Sequence, residues 1–398
     1  MKTKLITHIC FLYPFFLTIF NIQVFVAVML GSSTLAQIMA YGNIGLLAIG
    51  VAMIIKHRGE LSRTARLWII YFIIYFSFAT LASAIHYNSA EILRSIIPFV
   101  YVLAFYVYLS IPENRILFSK VALICLVLSS LLAIYLYNIN FDLEEGGIYK
   151  YKLDRAQGVY GDANNTALMA IVAFIFVYKL YTPTKWIYKI FKNLLLGLMF
   201  YCLVLTFSTT GFLVFIISFV LLNHRFFSGI RLLLSALALP VFYLLLINLN
   251  TLTASIDLRG QQRDKINNIV NVLTFNSDEI DDSGRNNLVM KLINDYVFEN
   301  PIIGNGIDFG MSQRAHNTVI LVWADAGIFA LLFFLFMLGI YFMRAVASPP
   351  EIRFFVIPIL IALYIFMLSL QSIINQPHIM ALFIYLAYLI DDKNKLTL

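Results

Sequence analysis

Charge is what this sequence of 398 residues has least of, because only 12% of its residues are charged and 61% are hydrophobic. A soluble protein carries about 25% charged residues, so most of this surface is expected to contact lipid. Apolar runs of about 15 to 25 residues recur to the end of the chain, and helices of that length cross about 30 Å of hydrocarbon. The ten-residue alternating blocks of a porin-like barrel are missing. The sequence therefore predicts an all-α polytopic membrane protein.

Other scarcities exclude whole classes of protein. The three cysteines all fall inside apolar runs, which excludes a disulfide framework and a cysteine-rich metal site. The chain lacks a Gly-rich Lys-Ser/Thr phosphate loop, and its predicted cytoplasmic loops are too short for a nucleotide-binding domain, which excludes an ATP-driven pump. Histidines and carboxylates do not recur at ligand-like spacing. We therefore expect no metal and no cofactor.

Twelve spans are predicted, in a single membrane domain covering residues 1–398. The first follows Lys2 and Lys4 like a signal peptide, but no small-residue cleavage site follows it, so we interpret it as a retained helix. The long span at 317–343 is expected to contain a break near Gly327. The spans lie near 9–29, 34–55, 67–85, 95–110, 116–137, 165–181, 193–207, 210–223, 232–249, 317–343, 354–370 and 379–390.

The distribution of charge predicts the orientation. Twelve spans place both termini on one side, and that side carries 18 of the 28 basic residues but only 5 of the 21 acidic ones. Because basic residues accumulate in cytoplasmic loops, both termini are predicted to lie in the cytoplasm. This asymmetry also explains the net charge of +7, so we expect a lipid bilayer and no nucleic acid as partner.

Two long segments then face outward, at 138–164 and 250–316, and the second carries the candidate site. Asp325 is the one acidic residue predicted to lie below the outer surface. Ion-coupled transporters usually hold carboxylates or histidines at mid-membrane. Their near absence here favours an enzyme that works at the outer interface.

The larger outer segment contains a predicted amphipathic helix at 286–298, capped by Asp282 or Ser283. Arg285 falls in its first turn. A helix N-terminus with an arginine fork suits a phosphate or diphosphate. The alternative interpretation is a surface arginine that pairs with Asp281 or Asp282.

His316 is the only histidine in the two long outer segments, and it directly precedes an apolar run. The positive end of a helix dipole disfavours the imidazolium form. A neutral imidazole beside a cationic diphosphate site is what a general base requires. The alternative is an interface histidine that caps the helix.

The shorter outer segment contains Arg155-Ala-Gln-Gly158, followed by Asp162-Ala-Asn164-Asn165, immediately before a span. This arrangement combines a cation with small and amide residues. Taken alone, it is also compatible with a turn followed by a helix cap.

The ordered set of these motifs resembles the superfamily of O-antigen ligases and O-antigen (Wzy-type) or capsule polymerases. The relevant residues are Arg155-x-x-Gly158 with Asn164, then Ser283-Gly284-Arg285, Pro301-x-x-Gly304-x-Gly306, His316-Asn317 and Gly327. The resemblance implies a glycosyltransferase of the bacterial inner membrane, which uses a glycan on undecaprenyl diphosphate and needs neither nucleotide sugar nor metal. It further implies an acceptor glycan and, as a candidate partner, a chain-length regulator or flippase.

By the same resemblance, His316 would deprotonate the acceptor and Arg285 would hold the diphosphate. Substrate contacts would come from Arg155, Asn164, Arg263, Arg314 and Asn317. Ligases of the family usually carry an arginine just after a serine at the outer start of a middle helix. Here that stretch is Ser208-Thr209-Thr210-Gly211, and the candidate replacements are Arg155, Arg259, Arg263 and Arg314.

The missing arginine weakens the ligase assignment more than the polymerase assignment, because polymerases are the more varied branch. The sequence therefore favours a polymerase of lipid-linked repeat units. The alternative is a ligase that transfers the lipid-linked glycan to lipid A–core. An alternative of another class is a flippase or transporter of lipid-linked sugars.

Overall fold

The computed structural model describes residues 2–86, 92–143, 145–227, 240–241, 243–255, 258–274, 276 and 285–392. Throughout these ranges the chain is predominantly helical. The exception is one antiparallel pair of short strands, β1 (Phe141–Asp142) and β2 (Gly147–Ile148), within the predicted outer segment 138–164. The predicted all-α class is confirmed.

The described α-helices are named in chain order. They are α1 (Lys2–Ile19), α2 (Ile22–Met29), α3 (Ser33–Ile54), α4 (Arg66–Ile85), α5 (Ile92–Ser95), α6 (Ile97–Tyr108), α7 (Pro112–Asn138), α8 (Ala163–Leu180), α9 (Trp186–Leu205), α10 (Thr209–Leu222), α11 (Leu249–Leu252), α12 (Gly260–Leu273), α13 (Arg285–Leu292), α14 (Phe309–Ser312), α15 (Thr318–Ala347), α16 (Pro350–Met367) and α17 (Pro377–Asp391). Short 3₁₀ turns lie at Ile55–His57, Gly158–Tyr160, His224–Phe227 and Ile373–Asn375, and a π-helical turn lies at Ile293–Val297.

Seven of the described helices are long and apolar enough to cross a membrane. A bent pair, Lys4–Ile19 with Ile22–Met29, and three shorter apolar helices fall on further predicted spans. The first predicted span, at 9–29, is not straight, because the two helices meet at 56°. The predicted span 232–249 lies largely outside the described residues, so the count of twelve stays a prediction. The seven long helices are Ser33–His57, Arg66–Ile85, Pro112–Asn138, Ala163–Leu180, Trp186–Leu205, Thr318–Ala347 and Pro350–Met367.

The chain divides into two compact units, and the boundary falls inside α7. Unit 1 comprises residues 1–129 and 285–398, and unit 2 comprises residues 130–284. In unit 1, α4 packs along α15, α6 packs on α17 and α1 packs on α3. In unit 2, α8 packs against α9 and α10.

Aromatic side chains fill the centre of unit 1. The Trp68 ring lies 4.8 Å from the Phe383 ring, and the Tyr71 ring lies 5.1 Å from the Phe334 ring, measured between centroids. Phe336, on the opposite face of α15 from Phe334, is largely exposed. A helix that is apolar all round, with one packed face and one open face, is expected of a span that borders lipid.

At one end of unit 1, the carboxylate of Asp391 joins α17 to the segment before α4. It accepts hydrogen bonds from the Ser62 hydroxyl at 2.7 Å and from the Thr64 backbone N–H at 2.9 Å. Beside it, Asp392 pairs with Arg115 at 2.7 Å. These contacts fasten the last helix to the segment that begins α4, at the end of the bundle opposite the candidate site on α15.

Candidate functional site

His316 lies directly before α15 in a backbone conformation that side chains rarely adopt. Its φ is +47°, and that of Arg314 is +55°. A non-glycine residue in this region costs of the order of 1–3 kcal/mol, and such strain clusters at functional sites. The buried Ala315 between them donates its N–H to the Gly310 carbonyl at 3.1 Å. The backbone N–H of His316 donates to Oε1 of Gln371 at 3.1 Å.

Asn317 caps α15. Its side-chain oxygen accepts hydrogen bonds from the N–H groups of Val319 at 2.9 Å and Ile320 at 3.1 Å. The next residue, Thr318, is buried and its hydroxyl donates to the Leu370 carbonyl. The capping role that the sequence left open for His316 therefore falls to its neighbour. Arg314 is exposed in the same loop.

The predicted break in α15 is confirmed at Gly327, where φ is +75° and ψ is −175°. The preceding loop fills the break with its backbone, since Asn305 donates to the Ala324 carbonyl at 2.8 Å and Ile328 donates to the Pro301 carbonyl at 2.9 Å. A Cβ on Gly327 would lie 2.0 Å from the Ile302 carbonyl oxygen. The segment around Ile302 can therefore pack against the break in α15 only because residue 327 is glycine.

Gly304 and Gly306 also allow this segment to pack closely against α15. Both have positive φ, +88° and +116°. A Cβ on Gly304 would lie 2.5 Å from the Asp325 carbonyl oxygen, which accepts a hydrogen bond from the Gly306 N–H at 3.1 Å. The Pro-x-x-Gly-x-Gly motif is thus a docking segment, whose backbone groups hydrogen-bond to those left unpaired at the break in α15. These bonds also hold the following loop, which carries His316, against the helix.

Asp325 is completely buried beneath this loop. Its Oδ1 accepts the Gly310 N–H at 2.6 Å, and its Oδ2 accepts the Tyr75 hydroxyl at 2.7 Å. Both carboxylate oxygens are held by donors from fixed elements. This carboxylate joins α4, α15 and the loop before His316, and its geometry is that of an anchor.

Unit 2 brings together three residues singled out in the sequence. The Arg155 guanidinium donates through Nη2 to Asn164 Oδ1 at 3.3 Å, and the Ser208 hydroxyl donates to the same oxygen at 2.8 Å. Arg155 Nε also donates to the Thr206 carbonyl at 2.8 Å. Ser208 caps α10 by accepting the Gly211 N–H at 3.0 Å. Arg155 therefore lies at the start of α10, next to the serine that the family's arginine usually follows.

Gly158 allows this loop to pack. Its φ is +59°, and a Cβ there would lie 2.9 Å from the Thr166 hydroxyl oxygen. That hydroxyl donates to the Gln157 carbonyl at 2.5 Å. The Arg-x-x-Gly motif therefore places the arginine and then turns the chain into α8.

The other candidate arginines of the large loop are placed differently. Arg259 pairs with Asp154 at 3.1 Å, and Gln262 donates to the Asp154 carbonyl at 2.7 Å. Arg263 is exposed on α12. Of the three candidate arginines in unit 2, namely Arg155, Arg259 and Arg263, only Arg155 has a described hydrogen bond at the start of α10.

The predicted helix at 286–298 is present as α13 followed by the π-helical turn Ile293–Val297. Leu292 and Val297 of its apolar positions are buried, whereas Leu288 and Met290 are exposed. Arg285 begins α13. Its side chain lies outside the described residues, as do the predicted caps Asp282 and Ser283.

Two residues that hold the site carry no signal in the sequence. Gln371 contacts a residue 55 positions away, and Tyr75 contacts a residue 250 positions away. Gln371 is one polar residue in a short connection, and Tyr75 is one aromatic residue in an apolar span. Among the residues that the structure describes, no three His, Cys, Asp or Glu side chains are grouped so that they could hold a metal ion.

These features define a class, namely an all-α polytopic membrane protein. Residues 194–335 match the family model described as O-antigen ligase. This match supports the resemblance of the chain to the superfamily of O-antigen ligases and polymerases. It includes His316 and Gly327, whereas Arg155 and Gln371 lie outside it. No curated protein matches the chain.

Proposed function

We propose that this protein belongs to the superfamily and is a glycosyltransferase that polymerises undecaprenyl-diphosphate-linked repeat units of O-antigen, capsule or exopolysaccharide at the periplasmic face of the inner membrane. The observation that carries the proposal is the placement of His316. It lies inside the family match, in a strained backbone conformation, and its loop is anchored on both sides. Strain held in this way is typical of a side chain whose direction matters.

The proposed reaction is a substitution at the anomeric carbon of the donor glycan. A hydroxyl of the acceptor glycan attacks this carbon and forms the new glycosidic bond. The bond from the anomeric carbon to the diphosphate oxygen breaks, and undecaprenyl diphosphate leaves with the electron pair. His316 takes the proton of the attacking hydroxyl, which is a weak nucleophile without a base. Asn317 and the exposed Arg314 border the acceptor.

The leaving diphosphate gains charge as the bond breaks, so cations placed against it stabilise the transition state. We assign this role to Arg285, which begins α13. The free N–H groups at the start of a helix add partial positive charge. A planar guanidinium adds two parallel donors that match a phosphate.

Arg155 is the candidate for the second diphosphate contact, in place of the arginine missing after Ser208. Its support is the shared hydrogen bond to Asn164, which brings the guanidinium to the start of α10. Arg259 is engaged by Asp154 instead, and Arg263 and Arg314 complete the set of possible substrate contacts. Arg155 would thus restore, from the preceding loop, a charge that relatives carry on the helix itself.

The orientation in this proposal follows from the charge of the loops, with 18 basic and 5 acidic residues on the side that holds both termini. Both long outer segments, 138–164 and 250–316, then face the periplasm, where donor and acceptor meet. A chain-length regulator or a flippase is the partner that such a polymerase would need.

Transfer of the finished glycan to lipid A–core is the second candidate, because the matching family model is described as O-antigen ligase. Deleting the gene and separating surface glycans on a gel tests both. Loss of a polymerase leaves single-repeat glycan on the final acceptor, whereas loss of a ligase leaves bare core and lipid-linked polymer. Repeat units trapped on the cytoplasmic leaflet would instead indicate a flippase and contradict the proposal.

A further inference from the structure

We propose that Gln371 is a positioning residue that fixes the direction of the His316 imidazole. The proposal rests on the function proposed above for His316. Gln371 lies in the connection between α16 and α17, beyond the region matched by the family model, which ends at residue 335.

The first support is the direct contact. Gln371 Oε1 accepts the backbone N–H of His316 at 3.1 Å. The preceding carbonyl, that of Leu370, accepts the hydroxyl of Thr318. Two consecutive residues of the connection therefore hold the chain on both sides of Asn317. Because the chain is hydrogen-bonded at both His316 and Thr318, the backbone torsions between them have little freedom to change.

The second support is the conformation that the contact maintains. His316 has φ of +47°, a region that residues with a Cβ leave unless the surroundings hold them there. The backbone torsions set the direction of the Cα–Cβ bond, and the side-chain rotamer then places the ring relative to that bond. Releasing the N–H from Gln371 removes a restraint on the torsion that aims the imidazole.

The third support is that the opposite side of the loop is already fixed. Ala315 donates to the Gly310 carbonyl at 3.1 Å, and the Gly310 N–H is held by Asp325 at 2.6 Å. Residues up to 315 are therefore anchored through α15, and Thr318 begins α15. Gln371 supplies the anchor for the one strained residue between these fixed points.

The experiment compares Gln371→Leu, which removes the acceptor at similar size, with Gln371→Glu, which keeps an acceptor oxygen. The matched control is Ser369→Ala, because Ser369 lies in the same connection and its hydroxyl bonds only to the Phe366 carbonyl, at 3.4 Å, in the contacts described. The readouts are kcat, the KM for lipid-linked donor, the pH profile of kcat, and the thermal unfolding midpoint of purified protein.

We expect Gln371→Leu to lower kcat about 10- to 100-fold, the cost of a small misplacement of a catalytic group, with an unchanged KM for donor. Gln371→Glu should recover kcat to within a few-fold. It should also move the acidic limb of the pH profile to higher pH, because a nearby carboxylate favours the imidazolium form. A merely structural role would instead leave kcat per folded protein unchanged in Gln371→Leu.

Wild-type kcat in Gln371→Leu, with His316→Ala inactive, would overturn the positioning role and leave the proposed function intact. Activity in both variants would mean that the proposed function itself has failed. If Gln371→Leu does not fold, the Glu variant decides, and an unshifted acidic limb in the folded Glu protein overturns the proposal.

Discussion

The Tyr75 hydroxyl donates to Oδ2 of Asp325 at 2.7 Å, and this bond joins α4 to α15 across 250 residues of sequence. Tyr75→Phe leaves a buried carboxylate oxygen without its donor, so we expect the free energy of unfolding to fall by about 1–3 kcal/mol. Denaturation of the purified protein in detergent measures this change. Tyr41→Phe, at an exposed tyrosine of α3, is the control and should leave the midpoint unchanged. Equal midpoints for the two variants would show that Asp325 is not an anchor.

Gly327 offers the sharpest test of the docking segment. Gly327→Ala places a Cβ 2.0 Å from the Ile302 carbonyl oxygen at a φ of +75°, so we expect a large loss of folded protein and of activity. Gly339→Ala is the matched control, because it lies in the same helix with nothing within 4 Å of the added Cβ. Alanine is there the better helix former by about 1 kcal/mol. Equal yields of folded protein from both variants would contradict the assignment of the break.

The break itself could be predicted, because glycine inside an unusually long apolar run marks a weak point in a helix. The segment that fills the break could not be predicted. The Asn305 backbone N–H donates to the Ala324 carbonyl, and backbone groups leave no trace in residue type. The Asn305 side-chain amide also donates to this carbonyl, 19 residues away, but a single asparagine does not indicate so distant a partner. The bend of the first span shows the same limit, because Asn21 at φ +50° is one polar residue in a run whose mean hydropathy is that of a straight span.

The candidate site divides in the same way. The position of His316 and Asn317 just before a span was predictable, because the apolar run begins directly after them in the sequence. Their supports were not, since Gln371 and Tyr75 come from other spans and only the packing of helices brings them near. The joining of Arg155 to Ser208 through Asn164 needed the structure too, although each residue alone was conspicuous in the sequence.

Arg155 should contribute to donor binding through its planar fork. Arg155→Lys keeps the charge but cannot satisfy both Asn164 Oδ1 and the Thr206 carbonyl while facing a diphosphate. We expect the KM for lipid-linked donor to rise about tenfold or more, since hydrogen bonds to charged groups contribute about 1.5–3 kcal/mol. Arg259→Lys is the control, because lysine keeps the charge of its partly exposed pair with Asp154 and such pairs contribute little to stability. A larger effect of Arg259→Lys would transfer the role to that residue.

Arg285 is expected to bind the diphosphate as a fork. Lysine retains the charge but loses the two parallel donors, so Arg285→Lys should be nearly as damaging as Arg285→Ala. Binding of labelled donor and kcat should be measured for both variants. Lys291→Arg, on the same helix α13, controls for changes in the charge of the loop. Near-wild-type turnover in Arg285→Lys would mean that the residue supplies only a diffuse positive field.

Two residues compete for the role of general base, namely His316 just before α15 and Asp325 within α15. His316→Ala should remove most turnover, since general base catalysis is typically worth about 10²–10⁴-fold, while donor binding survives. Asp325→Asn should reduce stability, because an amide cannot accept from both Gly310 and Tyr75 as the carboxylate does, yet the folded fraction should keep substantial activity.

The pH dependence adds a second criterion for the base. The wild-type rate should fall at low pH as an imidazole becomes protonated, because the imidazolium cannot accept the proton of the acceptor hydroxyl. Activity must be expressed per folded protein, so that the lower stability of Asp325→Asn is not mistaken for lost chemistry. A His316→Ala protein within a few-fold of wild type, beside a folded but inactive Asp325→Asn protein, would make Asp325 the base and refute its role as an anchor.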